Sequence, residues 1–166
     1  MKQKRIAGMT LMELLCALAV VLLVSAGMVL GVSLAVRSYE RSVSASEAQV
    51  LCSTLESIVS DELRYAGTLE YENGRVVGFF SQNHANQDSE YSRFRTDEQG
   101  RVLLGEQKLL PNNAYPHGLR ATVELAEYDR DTRIFTAVVT VTDRSGGTLA
   151  QTEFQVKQLN EPANKA

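Results

Sequence analysis

Residues 9–36, MTLMELLCALAVVLLVSAGMVLGVSLAV, carry a single charged side chain, Glu13. The run is longer than the ~20 residues a helix needs to cross a hydrocarbon core. Lipid leaves no water for backbone N–H and C=O groups, so such a segment must be helical and its apolar surface covered by lipid or by other protein. From Arg37 onward the composition turns mixed and polar. The 166-residue chain therefore has room for one domain beyond the apolar block, a head of ~100 residues with a thin core once part of the remainder has continued the helix.

Three explanations compete for this N-terminal region. A secretory signal peptide has a basic start and an apolar stretch, but this stretch is about twice the usual length and contains an acid near its beginning. A plain signal anchor accounts for the length, and Lys2, Lys4 and Arg5 would hold its N-terminal side in the cytoplasm. Neither explains Glu13. A carboxylate at the bilayer centre costs on the order of 2.5–3.5 kcal/mol, less near a helix end, and an anchor has no reason to keep it.

The third explanation rests on Lys2-Gln3-Lys4-Arg5-Ile6-Ala7-Gly8 followed by Met9-Thr10-Leu11-Met12-Glu13-Leu14-Leu15. This segment resembles the prepilin leader of type IV pilins and of the pseudopilins of type II secretion. The resemblance implies a short basic leader, residues 1–8, cut after Gly8 by a membrane-embedded prepilin peptidase. Met9 becomes the new N-terminus, which is commonly N-methylated in that family, and Glu13 stands at the fifth mature position. The family usually has Phe where this chain has Met9. It also implies partners: other pilin or pseudopilin subunits, a filament assembly platform, and the bilayer in which the precursor waits, with its N-terminus cytoplasmic and its head outside. A freshly exposed α-amino group is a cation near a pKa of ~8. Paired between subunits, it and Glu13 would fix register, since a wrong stagger strands both charges.

Beyond the apolar run, residues at Val36, Tyr39, Val43, Ala48, Leu51, Leu55, Ile58, Val59 and Leu63 keep helical spacing, with Ser and Glu on the other face. No proline interrupts 9–66, and Gly67 is a natural stop. The expectation is one helix, membrane-spanning over 9–36 and amphipathic over 37–66, about 87 Å long. Gly27 and Gly31 can allow close helix approach, be neutral, or loosen the helix.

From Thr68 the period becomes strand-like. Asn73-Gly74 predicts a tight type I′ hairpin between 68–72 and 75–80. Residues 81–90 are polar and without pattern. A second strand pair, 91–96 and 101–106, brackets a turn, and a Pro- and Asn-containing loop covers 110–118. The strongest strands are 119–128, 134–142 and 148–159. The fold class is α+β: the long helix lies on an antiparallel sheet formed by a head spanning 67–160, and the tail 161–166 is loose. The element order and the Tyr91-Ser-Arg-Phe-Arg hairpin leading into Arg101-Val-Leu-Leu also look like the J-type minor pseudopilins.

Composition argues against several other functions. The formal charge is −3 with 17 Lys and Arg against 20 Asp and Glu; without Lys2, Lys4 and Arg5 it is 14 against 20, or −6. A head of that sign, without a basic stripe, is repelled by nucleic acid. Cys16 and Cys52 on one helix would be ~54 Å apart, which excludes a disulfide between them; both are read as buried thiols. His84 and His117 lie in loops without ligand-spaced neighbours, and Asp129 and Asp131 suit a solvated turn better than a calcium loop. No nucleophile, phosphate-loop or zinc motif occurs, so no cofactor, metal site or enzymatic activity is expected. The reading is a structural filament subunit serving a type IV pilus, type II secretion or competence (DNA uptake). The alternative is an uncut single-pass protein whose head binds a partner.

Overall fold

The computed structural model describes residues 11–81 and 91–160. Gly8, Met9, His84, the leader and the tail 161–166 lie outside them. The chain is α+β. Among the described residues, helix α1 (Leu11–Arg64) is followed by eight strands: β1 (Leu69–Glu72), β2 (Arg75–Phe79), β3 (Phe94–Thr96), β4 (Val102–Leu104), β5 (Gln107–Lys108), β6 (Arg120–Asp129), β7 (Ile134–Thr142) and β8 (Thr148–Lys157). Two short 3-10 turns, Asn112–Ala114 and Pro116–Gly118, lead into β6. Two compact units emerge, one ending at Ser42 and one beginning at Val43.

The described part of the first unit is helix. Its side chains from Leu11 to Val36 are exposed on every side; Leu11 is 77% exposed, Leu23 74% and Val29 67%. This segment is long and apolar enough to cross a membrane. Cys16, expected to be buried, is exposed with the rest: a helix apolar all round, standing by itself, buries nothing. Ser25 and Ser33 donate to the carbonyls of Val21 and Val29 at 2.7 and 2.8 Å, which satisfies their hydroxyls without a partner helix.

In the second unit α1 turns one face inward. Ala48, Leu51, Cys52, Leu55, Val59 and Leu63 are buried against the inner face of the β6-β7-β8 sheet, where Phe135, Ala137, Val139 and Val141 alternate with outward side chains. The outward positions between them are Thr136, Val138 and Thr140, and that alternation is the pleat of a half-covered antiparallel sheet. Four expected members of the buried face are absent from it. Tyr39 is 71% exposed and Val36 50%, because the buried face starts only at Ala48, and Val43 and Ile58 are half-buried at its edges. Cys52 and Glu62 occupy it as well. The Cys52 thiol lies 3.8 Å from the Val139 carbonyl oxygen; burial first, and the nearby Glu56 carboxylate second, push its pKa up.

The expected single sheet is instead three: β1-β2, β3-β4-β5 and β6-β7-β8, all antiparallel. β6 also lies close to β2, β3 and β4 without pairing with any of them. The strand expected over 101–106 ends at Leu104 because Gly105 turns at φ +64, and the chain folds back as β5. The Asn73-Gly74 turn has φ of 51° and 80°, the left-handed pair that a type I′ hairpin requires.

The end of α1 is closed by the end of β8. Gln158, fully buried, donates from Nε2 to the carbonyls of Ala66 and Gly67 at 2.9 and 3.0 Å. Its Oε1 accepts from the Tyr128 hydroxyl at 2.7 Å. The Leu159 N–H donates to the Arg64 carbonyl, and Asn160 Nδ2 to that of Tyr65. These bonds satisfy carbonyls that a helix terminus leaves without intrahelical donors.

Candidate functional site

Two features of the described residues bear on function. The first is the start of α1. Glu13 sits in its first turn, exposed among Leu11, Met12, Leu14 and Leu15. A carboxylate there faces the positive end of the helix dipole, and the residues beside it along the described helix, Leu11, Met12, Leu14 and Leu15, are apolar. The cleavage and methylation positions, Gly8 and Met9, fall outside the described residues, so the geometry between them and Glu13 rests on sequence alone.

The second is a groove of about 320 Å³ in the second unit. One wall is α1, through Val50, Leu51 and Thr54; Val50 is 65% exposed. The other is the segment before β6, through Leu110, Ala114 and Pro116. Glu47 and Asn113 stand at its rim. Segment and helix are tied together at His117, whose Nδ1 lies 2.7 Å from Glu47 Oε2. His117 adopts φ +53 and Gly118 φ +74, consecutive left-handed residues that reverse the chain into β6. The residue read as a bare loop histidine therefore pins this loop to the helix.

The polar clusters of the head are consumed in turns and cross-strand pairs. Asp97 receives the Arg101 N–H at 2.8 Å and its Nε at 2.6 Å, and Arg101 reaches on to Asn112 and Gln99. Burial raises the Asp97 pKa, but the hydrogen bonds and charge of Arg101 outweigh it and hold the carboxyl below its usual range. Asp129 accepts from Thr132 Oγ1 and from the Asp131 and Thr132 amides. Asp143 accepts from Ser145 Oγ and the Ser145 and Gly147 amides. Both are held below the ordinary aspartate range, chiefly by those hydroxyl bonds. Arg93 spans Glu70 at 2.8 Å and Glu72 at 3.8 Å, and Arg130 lies 4.3 Å over the Tyr71 ring. Among the described residues no three His, Cys, Asp or Glu side chains converge in a way that could hold a metal ion.

Sequence pattern located Glu13 and missed the groove. Leu51 keeps the helical spacing of the buried face, Val50 falls outside that spacing and Leu110 lies in the expected loop, so nothing in the pattern brings the two walls together. Comparison with known proteins returned no match among family models, curated proteins or solved structures.

Proposed function

We propose that this protein is a structural filament subunit of the type IV pilin and pseudopilin kind, inserted as a membrane-anchored precursor and cut by a prepilin peptidase between Gly8 and Met9. The reading is carried by one conjunction: Gly8-Met9 after a basic leader, and Glu13 four residues further on, at the head of a helix whose apolar side chains face outward all round. A helix of that kind has to be covered. Lipid covers it in the precursor, and the helices of neighbouring subunits cover it in the fibre. The assembly platform moves it from one to the other, and the pairing of Glu13 with a neighbour's terminal amine sets the stagger. The α+β layout, with the head's sheet on the polar half of the helix, supports the same reading. The filament serves secretion, adhesion or DNA uptake.

Mass spectrometry of the membrane fraction tests it. The mature chain is expected to begin at Met9, with or without one added methyl group. An intact Met1 start in working material rejects the reading and leaves a single-pass anchored protein with a partner-binding head. Glu13→Ala is expected to be processed normally yet to yield few fibres; fibres at the normal level reject the register argument.

A further inference from the structure

Resting on the membrane-anchored precursor of that reading, we infer that Arg37 and Arg41 bind phospholipid phosphates on the head side of the bilayer. They thereby fix which part of α1 the hydrocarbon covers: residues 17–36, with Glu13 left in the headgroup layer of the other side. The apolar part of α1 is too long for the layer it crosses. From Leu11 to Val36 it has 26 residues, about 39 Å at ~1.5 Å each, against a hydrocarbon core of ~30 Å. A tilt of about 20°, the average for spanning helices, shortens that span by only about 2 Å. About six residues therefore stand outside the hydrocarbon, at one end or the other.

The two ends differ. On the head side the apolar run stops between Val36 and Arg37, and α1 continues through the change without a break. Arg37 and Arg41, one turn apart on the same face, are exposed and make no hydrogen bond or ion pair among the described residues. At a bilayer surface the nearest anion for such a guanidinium is lipid phosphate, which its planar fork grips with two N–H donors. Tyr39, exposed between them, has the amphipathic ring that collects at headgroup level. Glu40 is the carboxylate of this stretch, and two arginines against one acid leave 37–42 net positive. On the leader side the border is gradual: Glu13 and Cys16 both fall within the six surplus residues, 11–16. From Ala17 to Val36 the polar side chains are Ser25 and Ser33, and each donates its hydroxyl to a carbonyl of its own helix. That window is about 30 Å long, the thickness of the hydrocarbon, and puts no unsatisfied hydroxyl into it. Glu13 then lies about 6 Å beyond the hydrocarbon edge, hydrated in a headgroup layer of roughly 5–7 Å. It meets hydrocarbon only when the helix is drawn toward the head side, which is when a neighbour's terminal amine is there to receive it.

The test is the labelling of single cysteines by a membrane-impermeant maleimide in the uncut full-length chain, with Cys16 replaced by Ala and buried Cys52 retained. The chain sits in vesicles of phosphatidylethanolamine and phosphatidylglycerol, and freeze–thaw admits the reagent to both faces. Met12→Cys and Ser38→Cys are expected to label at least tenfold faster than Val24→Cys. Arg37→Leu with Arg41→Leu removes the outer border, and labelling of Met12→Cys is expected to slow severalfold; Arg37→Lys with Arg41→Lys should keep the original pattern. In vesicles of digalactosyldiacylglycerol, which has no phosphate, the chain with both arginines should behave like the leucine variant. Met12→Cys labelling as slowly as Val24→Cys means a steeply tilted helix with Glu13 immersed, and overturns the inference. A pattern indifferent to the leucine pair, or to the loss of phosphate, overturns it likewise. Each of these results leaves the filament reading standing where fibres are built of chains beginning at Met9. A chain that alkaline carbonate strips from membranes overturns both.

Discussion

At the scale of single residues, the head is held together by polar groups placed where an apolar side chain would leave backbone unsatisfied. Gln158 is the clearest case, because three partners depend on it: the carbonyls of Ala66 and Gly67 and the Tyr128 hydroxyl. Gln158→Ala is expected to destabilise the head by about 2–3 kcal/mol, since it strands buried acceptors as well as losing bonds; the shift of the urea midpoint measures it. The aspartates set the pH dependence. Asp97, Asp129 and Asp143 all have folded-state pKa values below the ordinary one. Their contribution is therefore complete above about pH 4 and is lost as the pH falls through those lowered values. Asp97→Asn is expected to flatten the acid limb of a stability–pH profile and to leave its neutral limb parallel to wild type. Tyr115 bears on the alkaline side. Burial raises its pKa and its hydroxyl oxygen accepts the Val102 N–H at 3.1 Å, so Tyr115→Phe costs about 1–2 kcal/mol at neutral pH, read from thermal unfolding.

At the scale of elements, some boundaries were legible because local chemistry alone determines them. Asn73-Gly74 turns the first hairpin by positive φ, and with nothing within 4 Å of a side chain placed at Gly74 the requirement is purely conformational. Gly74→Ala is accordingly expected to cost about 1 kcal/mol without changing the denaturant slope. The alternation through Phe135, Ala137, Val139 and Val141 marked the buried face of β7 because a pleat has only two sides. Helical spacing is less informative. It groups Val36 and Tyr39 with Leu51 and Leu55 on one pattern, but says nothing about where along the helix a sheet begins to cover it. The division into three sheets was equally hidden, and so were the left-handed turn at Gly105 and the register shifts at Glu70/Tyr71 and Leu125/Glu127, none of which strand propensity reports. Of the functional features, Glu13 was readable as an anomaly against its own neighbours. The groove brings residues some sixty positions apart together and has no linear signature.

At the scale of the whole molecule, two units share one helix, and the first has an apolar stretch long enough to cross a membrane. The unit beginning at Val43 has its own core, and a fragment spanning residues 43–160 is expected to dissolve without detergent and to unfold cooperatively, as followed by circular dichroism. The full chain is expected to aggregate unless detergent or lipid masks residues 11–36. The fragment's thermal midpoint should match that of the head in the detergent-bound full chain, and a gap of more than a few degrees would count against the independence of the two units. The clasp formed by Gln158, Leu159 and Asn160 on the carbonyls at the end of α1 also orders events during synthesis. The amino-terminal half of the helix leaves the ribosome first, but the carbonyls at its other end have no lid until residue 160 has been made. Between those moments the core is assembled around an open helix end, and three residues nearly a hundred positions downstream are the ones that lock the door.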